Sequence, residues 1–301
     1  FAEKLYGIKI ADPYRQFESL DSATLEWIKA QGTYTRGVLD SIAPRKELHR
    51  KTADFGTTFT DIKEYQRHGS SEFFEERAPG SDNFDLMVRD RNGTRKLIDV
   101  GTLRAAHGGK PYAVNYYLAS PDGTKVAVGI SEGGTEDASL TIIDTATAKT
   151  IAGPMSRAQF GLQTWSDDGK ILYFNRLRPL SVGEPATDKY GRSTVDAWDM
   201  TSTPRPILGV GIGHSPITDP SETPQLTIVS NAPLAIAQSI NGAQPELSLW
   251  STAKRNLLYR EISWQQIVRR DDGVTAFAMR GRDIYFLSHK DAPNFKVIAI
   301  K

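Results

Sequence analysis

The stretch Gly129-Ile130-Ser131-Glu132-Gly133 has the spacing of a nucleophile elbow, in which a serine on a sharp strand-to-helix turn attacks a carbonyl carbon. That chemistry needs a helix directly after the serine and a histidine to take its proton. Here Val126-Ala127-Val128 leads in as a strand, and Gly134-Thr135-Glu136-Asp137 leads out into another strand. Ser131 therefore reads as the end of a hairpin. His49, His68, His107, His214 and His289 share no spacing that would ligate zinc, and none stands where a general base is recognisable. They read as surface or loop polarity. With no cysteine in the chain, disulfides, thiolate nucleophiles and Cys-based zinc sites are excluded together. Gly209-Val210-Gly211-Ile212-Gly213 is glycine-rich, but Pro216 and Pro220 follow it instead of a helix, so it reads as a loop and not as a phosphate cradle. The acidic Ser120-Pro121-Asp122-Gly123 and Ser166-Asp167-Asp168-Gly169 lack the terminal glutamate of a calcium loop, and turn chemistry accounts for them. No cofactor and no metal is expected.

The elements that must position any site fall into two parts. From Asp21 to about Phe55 the pattern is helical, with Asp21 or Ser22 as a cap, an interrupted apolar face of Leu25, Ile28, Val38 and Leu39, and Pro44 where a second helix can start. From about Tyr65 onward short β-rich runs alternate with turns. Phe73-Phe74 and Leu86-Met87-Val88 form a first unit, closed by Asn92-Gly93. Val126-Ala127-Val128 and Thr141-Ile142-Ile143 form a second, and Trp165 with Leu172-Tyr173-Phe174 a third. Ala235-Ile236-Ala237 and Leu249-Trp250 make a fourth; Phe277, Ile284-Tyr285-Phe286 and Val297-Ile298 make a fifth. Each reads as strand, tight turn, strand, loop, strand. Equivalent strands recur roughly every 45–65 residues, which suits propeller blades, with a pair of β-sandwiches as the alternative.

The formal net charge is +1, which argues against a dedicated nucleic-acid surface. No stretch approaches the ~20 apolar residues of a membrane span. A soluble protein is expected, cytoplasmic or bacterial periplasmic. The chain opens on Phe1 and not on Met, and the expectation is that a segment precedes it.

Three stretches together resemble the prolyl oligopeptidase family of serine peptidases. The first is Gly7-Ile8-Lys9-Ile10-Ala11-Asp12-Pro13-Tyr14-Arg15, followed by Leu20-Asp21-Ser22, Trp27, Ala30-Gln31 and Tyr34. The second runs from Ala119-Ser120-Pro121-Asp122-Gly123 through Ser131-Glu132-Gly133-Gly134 to Phe160-Gly161-Leu162-Gln163-Thr164-Trp165. The third is Tyr285-Phe286-Leu287-Ser288-His289-Lys290-Asp291-Ala292-Pro293-Asn294-Phe295-Lys296-Val297. Departures are Gln16 where the family has Trp, Ser19 where it has Asp, and Ile240 where a substrate-proximal Arg of the fourth blade is common.

The resemblance implies an all-β chain, with an N-terminal extended and helical segment over residues 1–60. An incomplete β-propeller over 61–301 follows, holding about five blades of a seven-bladed family fold. It implies an α/β-hydrolase domain, absent from this chain, that carries the Ser, Asp and His of the triad. The propeller would gate access of small peptides, and cleavage would follow proline. No catalytic residue is assigned here. Phe160 matches an aromatic that lines the family's substrate pocket, with blade core as its other reading. The expected partners are a small peptide substrate and the missing hydrolase domain. Related oligopeptidases that cut after basic residues, and a non-catalytic propeller that binds a peptide or protein, are the alternatives.

Overall fold

The computed structural model describes residues 2–229 and 232–300. The chain divides into two compact units, Phe1–Thr60 and Asp61–Lys301.

The first unit opens with a hairpin that the sequence pattern did not announce, β1 (Ala2–Leu5) and β2 (Ile8–Ala11). Tyr6 and Gly7 both take positive φ, 50° and 85°, as a two-residue turn between right-twisted strands requires. Asp12 then accepts from the Tyr14 N–H and from Arg15 Nε at 2.8 Å, and Arg15 also reaches Glu3 at 2.7 Å. The Asp-Pro-Tyr-Arg run is thus a local knot that closes the hairpin. Two helices follow, α1 (Ser22–Asp40) and α2 (Arg45–Thr57). Asp21 caps α1 by accepting from the Thr24 N–H, and Pro44 immediately precedes α2. The Phe17 ring stacks on Trp27 at 4.4 Å.

The second unit is a chain of five antiparallel sheets, each formed by consecutive strands. The first holds β3 (Asp61–His68), β4 (Ser71–Arg77), β5 (Asp85–Asp90) and β6 (Gly93–Ile98). A short helix, α3 (Val100–Ala106), leads to the second: β7 (Tyr112–Ala119), β8 (Lys125–Glu132), β9 (Ser139–Asp144) and β10 (Thr150–Met155). The third holds β11 (Leu162–Trp165), β12 (Leu172–Arg176), β13 (Thr194–Trp198) and β14 (Arg205–Leu208). The fourth holds β15 (Thr223–Ile228), β16 (Leu234–Ile240), β17 (Ser248–Ala253) and β18 (Gln265–Val268). The fifth has three strands, β19 (Val274–Arg280), β20 (Asp283–Ser288) and β21 (Lys296–Ile300).

Four of the sheets therefore carry four strands where the sequence pattern suggested three. The added strands are the edges. Pro154, Pro206 and Pro224 lie in β10, β14 and β15, each an edge strand of its sheet. An edge tolerates the missing N–H, and the same prolines mask the strand signal.

Central strands are buried on both faces and read as unbroken apolar runs. Val126 and Val128 pack toward the first sheet with Phe73 and Val88, while Ala127 packs toward the third with Leu172 and Phe174. Tyr173 turns the other way, toward Ala235, Ala237 and Trp250 of the fourth sheet. Ile236 in turn meets Val274, Ile284 and Phe286 of the fifth. The period of two along each strand thus feeds two successive inter-sheet cores.

The first strands of successive sheets lie side by side, β3 by β7, β7 by β11 and β11 by β15. No backbone ladder joins them, and side chains bridge instead. Gln66 of β3 donates to the Tyr117 carbonyl at 3.0 Å and accepts from the Ala119 N–H at 3.1 Å. Gln163 of β11 accepts from the Leu226 N–H at 2.9 Å, and the Trp165 indole donates to the Leu118 carbonyl.

Candidate functional site

The loop that carries Phe160 is built from below by a tyrosine. Tyr116 of β7 lies across Gly129 of β8, so close that an added Cβ there would sit 2.1 Å from the ring. The same ring rests against Gly161, whose φ of 83° turns the loop back into β11. The Tyr116 hydroxyl donates to the Ala158 carbonyl at 2.5 Å, and burial pushes the phenol well above its ordinary pKa, so it remains a donor. Ala158 is buried under this contact, and the chain two residues on is lifted to the surface. Phe160 is 42% exposed and packs its ring on Tyr190 at 5.7 Å.

Tyr190 and Lys189 form a wall with a concavity on either side. One side is an open cleft of about 620 Å³ lined by Arg178, Glu184, Tyr190, Arg192, Pro220 and Ser221. Arg178 bonds Glu184 at 3.0 Å and lies 3.8 Å from Asp188, so it serves both carboxylates of that wall. The other side is a smaller cavity of about 340 Å³ between residues 156–159, the segment after β12 and the turn into β9, where Arg157, Gln159, Leu177 and Leu180 face Asp137 and Lys189. Arg157 donates to the Leu177 carbonyl at 2.7 Å. Burial first, and then the neighbouring Arg176, lower the pKa of its guanidinium, with Asp196 acting the other way.

Ile240 ends β16 opposite Thr223 and is partly buried. A cation stands beside it nevertheless. Arg270, from the turn after β18, donates to Glu222 and, at 3.2 Å, to the Ser239 hydroxyl, and Ser239 itself donates to Glu222. Ser239 is fully buried and Glu222 nearly so. Ser239 thus backs the Arg270–Glu222 pair with hydrogen bonds to both charges, which offsets part of the cost of burying them, while the Arg270 Nε is buried without a partner.

Ser131 lies inside β8, paired with Ala113, and its hydroxyl is buried with no hydrogen-bond partner. No histidine reaches it: His289 bonds Glu246 at 2.9 Å, His214 bonds Glu261 at 2.7 Å, and His107 bonds the Leu103 carbonyl. The glycine-serine-glycine spacing thus reflects room for Tyr116, not a nucleophile. The Ser-Pro-Asp-Gly and Ser-Asp-Asp-Gly pieces are tight turns in which Ser120 donates to Asp122 and Ser166 to Asp168. Among the described residues no group of three or more His, Asp or Glu side chains is placed to hold a metal ion. Sequence reading missed Arg157, Gln159 and Tyr190. Arg157 and Gln159 sit in the linker between β10 and β11 and Tyr190 ends a short 3-10 helix between β12 and β13, segments without periodicity that only the tertiary fold brings together.

Residues 1–192 match the family model for the prolyl oligopeptidase N-terminal β-propeller domain. Among curated proteins the chain is 25% identical over 190 residues to a prolyl endopeptidase of Elizabethkingia meningoseptica, covering 62% of this chain and 26% of that protein. It is 26% identical over 196 residues to the prolyl endopeptidase of Elizabethkingia miricola, with the same coverage. The match thus spans about a quarter of the length of these relatives. Among solved structures, a prolyl endopeptidase described for its inter-domain dynamics superposes over 100% of this chain and 43% of its own, with a TM-score of 0.82 at 19% identity. Prolyl oligopeptidase B from Galerina marginata, bound to a 35-residue hydrolysis and macrocyclization substrate, covers 97% of this chain and 43% of its own, with a TM-score of 0.79 at 15% identity. The consecutive stacked sheets, the side-by-side first strands and a family match over most of its length agree, and the chain belongs to the prolyl oligopeptidase family, as its N-terminal β-propeller-type domain.

Proposed function

We propose that this chain is the N-terminal and propeller portion of a prolyl oligopeptidase-like serine endopeptidase, gating the access of small peptides to an α/β-hydrolase domain that cleaves after proline. The hydrolase domain supplies the chemistry: a serine attacks the carbonyl, a histidine carries the proton, and an aspartate holds the histidine tautomer. This chain contributes binding and exclusion. The observation that carries the reading is Phe160, an exposed aromatic ring on the loop that Tyr116 anchors through the Ala158 carbonyl, packed on Tyr190, which lines the larger cleft. A ring that packs no core and is held in place is suited to contact a ligand.

The test is the intact mass of the natural gene product before and after a serine-reactive fluorophosphonate. A species about twice the mass of this chain that gains one adduct supports the reading; a product near the mass of this chain with no adduct overturns it. In the adduct-forming enzyme, Phe160→Ala is expected to lower kcat/KM for a proline-containing fluorogenic peptide by about fivefold to tenfold, with labelling by the small fluorophosphonate unchanged. This chain by itself is expected to hydrolyse no such peptide. Ile240 favours a second reading, a non-catalytic binding propeller, because an apolar side chain cannot replace a guanidinium's fork of donors. A full-length product whose hydrolase domain lacks its serine would favour that reading.

A further inference from the structure

The smaller cavity beside Phe160 has two hydrogen-bonding capacities that the protein leaves unused. The Oε1 of Gln159 is a buried acceptor with no partner, while its Nε2 reaches the Tyr190 hydroxyl at 3.5 Å. Arg157 spends one N–H on the Leu177 carbonyl, and Arg176, its cationic neighbour, already lies 3.4 Å from Asp196 with its own Nε buried and unpartnered. Among the described residues, Arg176 thus takes the one carboxylate near the two guanidinium groups, and Arg157 makes no ion pair of its own. Lys189, on the opposite side, is neutralised by Asp137 at 2.6 Å. The region therefore holds one positive charge in excess, close to an acceptor that wants an N–H. Leu177 and Leu180 supply an apolar floor between them. A ligand that satisfies all three features carries an amide N–H, a short aliphatic stem and a carboxylate.

We propose that this cavity is a subsite for an acidic residue of a bound peptide, whose carboxylate pairs with Arg157 and whose backbone N–H donates to Gln159. The volume, about 340 Å³, accommodates one side chain with its peptide unit. The proposal rests on the reading that the ligand of this surface is a peptide. It adds a preference that cleavage after proline does not contain: an acidic residue offset from the proline.

The test uses this chain and dye-labelled proline-containing peptides that differ only in Glu or Gln at one position, scanned along the peptide, with binding followed by fluorescence anisotropy. At one position the Glu peptide is expected to bind about tenfold tighter, a difference that narrows as salt is raised. Arg157→Gln should bring the Glu peptide to the level of the Gln peptide, and Arg157→Lys should keep part of the preference. Arg192→Gln, which removes the cation on the far side of Tyr190, should leave it intact. Equal binding of Glu and Gln peptides at every position would overturn the subsite while leaving the peptide reading standing. So would a preference that survives Arg157→Gln or vanishes with Arg192→Gln. Should no peptide of either kind bind, the subsite falls, whereas the fluorophosphonate labelling of the natural product still decides the enzyme reading by itself. The wild-type comparison needs no variant to fold.

Discussion

Gly129 has no room for a side chain, and that fact links a sequence pattern to the surface it supports. Tyr116 fills the space above it, holds the Ala158 carbonyl and rests on Gly161. An added methyl group cannot be absorbed by the glycine's own backbone; the ring must move, and with it the loop bearing Arg157 and Phe160. Gly129→Ala is therefore expected to destabilise the domain by ~2–3 kcal/mol, the usual cost of overpacking a close-packed core. Urea denaturation would show this as a lower midpoint at constant slope. Combined with Tyr116→Ala, the same glycine substitution should cost much less than it does alone, because the two residues occupy one space. Ser131, two residues on, was a tempting nucleophile by spacing, yet its hydroxyl is a buried group without a base.

At the scale of the element, the strands divide into those that announce themselves and those that do not. β8, β12 and β16 are buried on both faces and were legible as apolar runs. β3 carries Asp61, Lys63, Glu64, Gln66 and Arg67 in eight residues, and its burial pattern is mostly exposed, so composition hid it. Besides its ladder to β4, side chains hold it to the second sheet: the Tyr117 hydroxyl donates to the Glu64 carbonyl, and Gln66 reaches back. Gln66 satisfies both the Tyr117 carbonyl and the Ala119 N–H of β7. Gln66→Ala leaves both without that partner in a place where a second backbone ladder is absent. The expected loss is about 1–3 kcal/mol. Hydrogen exchange should show the Ala119 amide losing protection well before the amides of β8, because the damage is confined to the seam between the first two sheets.

At the scale of the molecule, the five sheets are stacked so that each inter-sheet core is shared, and the last sheet has one apolar face left over. Val274, Ile284 and Phe286 face the fourth sheet. On the opposite face Leu287 stands across from Val297 and Tyr285 across from Ala299, with Leu287 37% and Val297 69% exposed. In-register apolar pairs on an open face favour association. This chain is expected to associate with rising concentration, and Leu287→Lys with Val297→Lys to suppress that association while moving the thermal midpoint by no more than a few degrees. Sedimentation velocity at several concentrations would read the first effect and calorimetry the second. A monomeric wild type at all concentrations would show that the face is not adhesive.

Much of the architecture is written locally in the sequence. Asp21 caps α1 because its own side chain reaches an N–H three residues away, and the Asp-Gly and Asn-Gly turns set strand spacing through positive φ at single glycines. The number of sheets followed from the repetition of such turns between apolar runs, since central strands need nothing from outside their pattern to be recognised. The edge strands β3, β6, β7, β10, β14, β15 and β18, the hairpin β1–β2 and the helix α3 were not legible, whereas the edges β11, β19 and β21 carried enough apolar residues to be read; charges in β3 and prolines in β10, β14 and β15 break the period. The surface around Phe160 belongs wholly to tertiary structure. Arg157, Gln159, Leu177 and Tyr190 share one cavity or its wall because the linker into β11 lies against the end of β12, where the Leu177 N–H donates to the Arg157 carbonyl at 2.8 Å, and no local rule encodes a contact between two irregular segments some twenty to thirty residues apart.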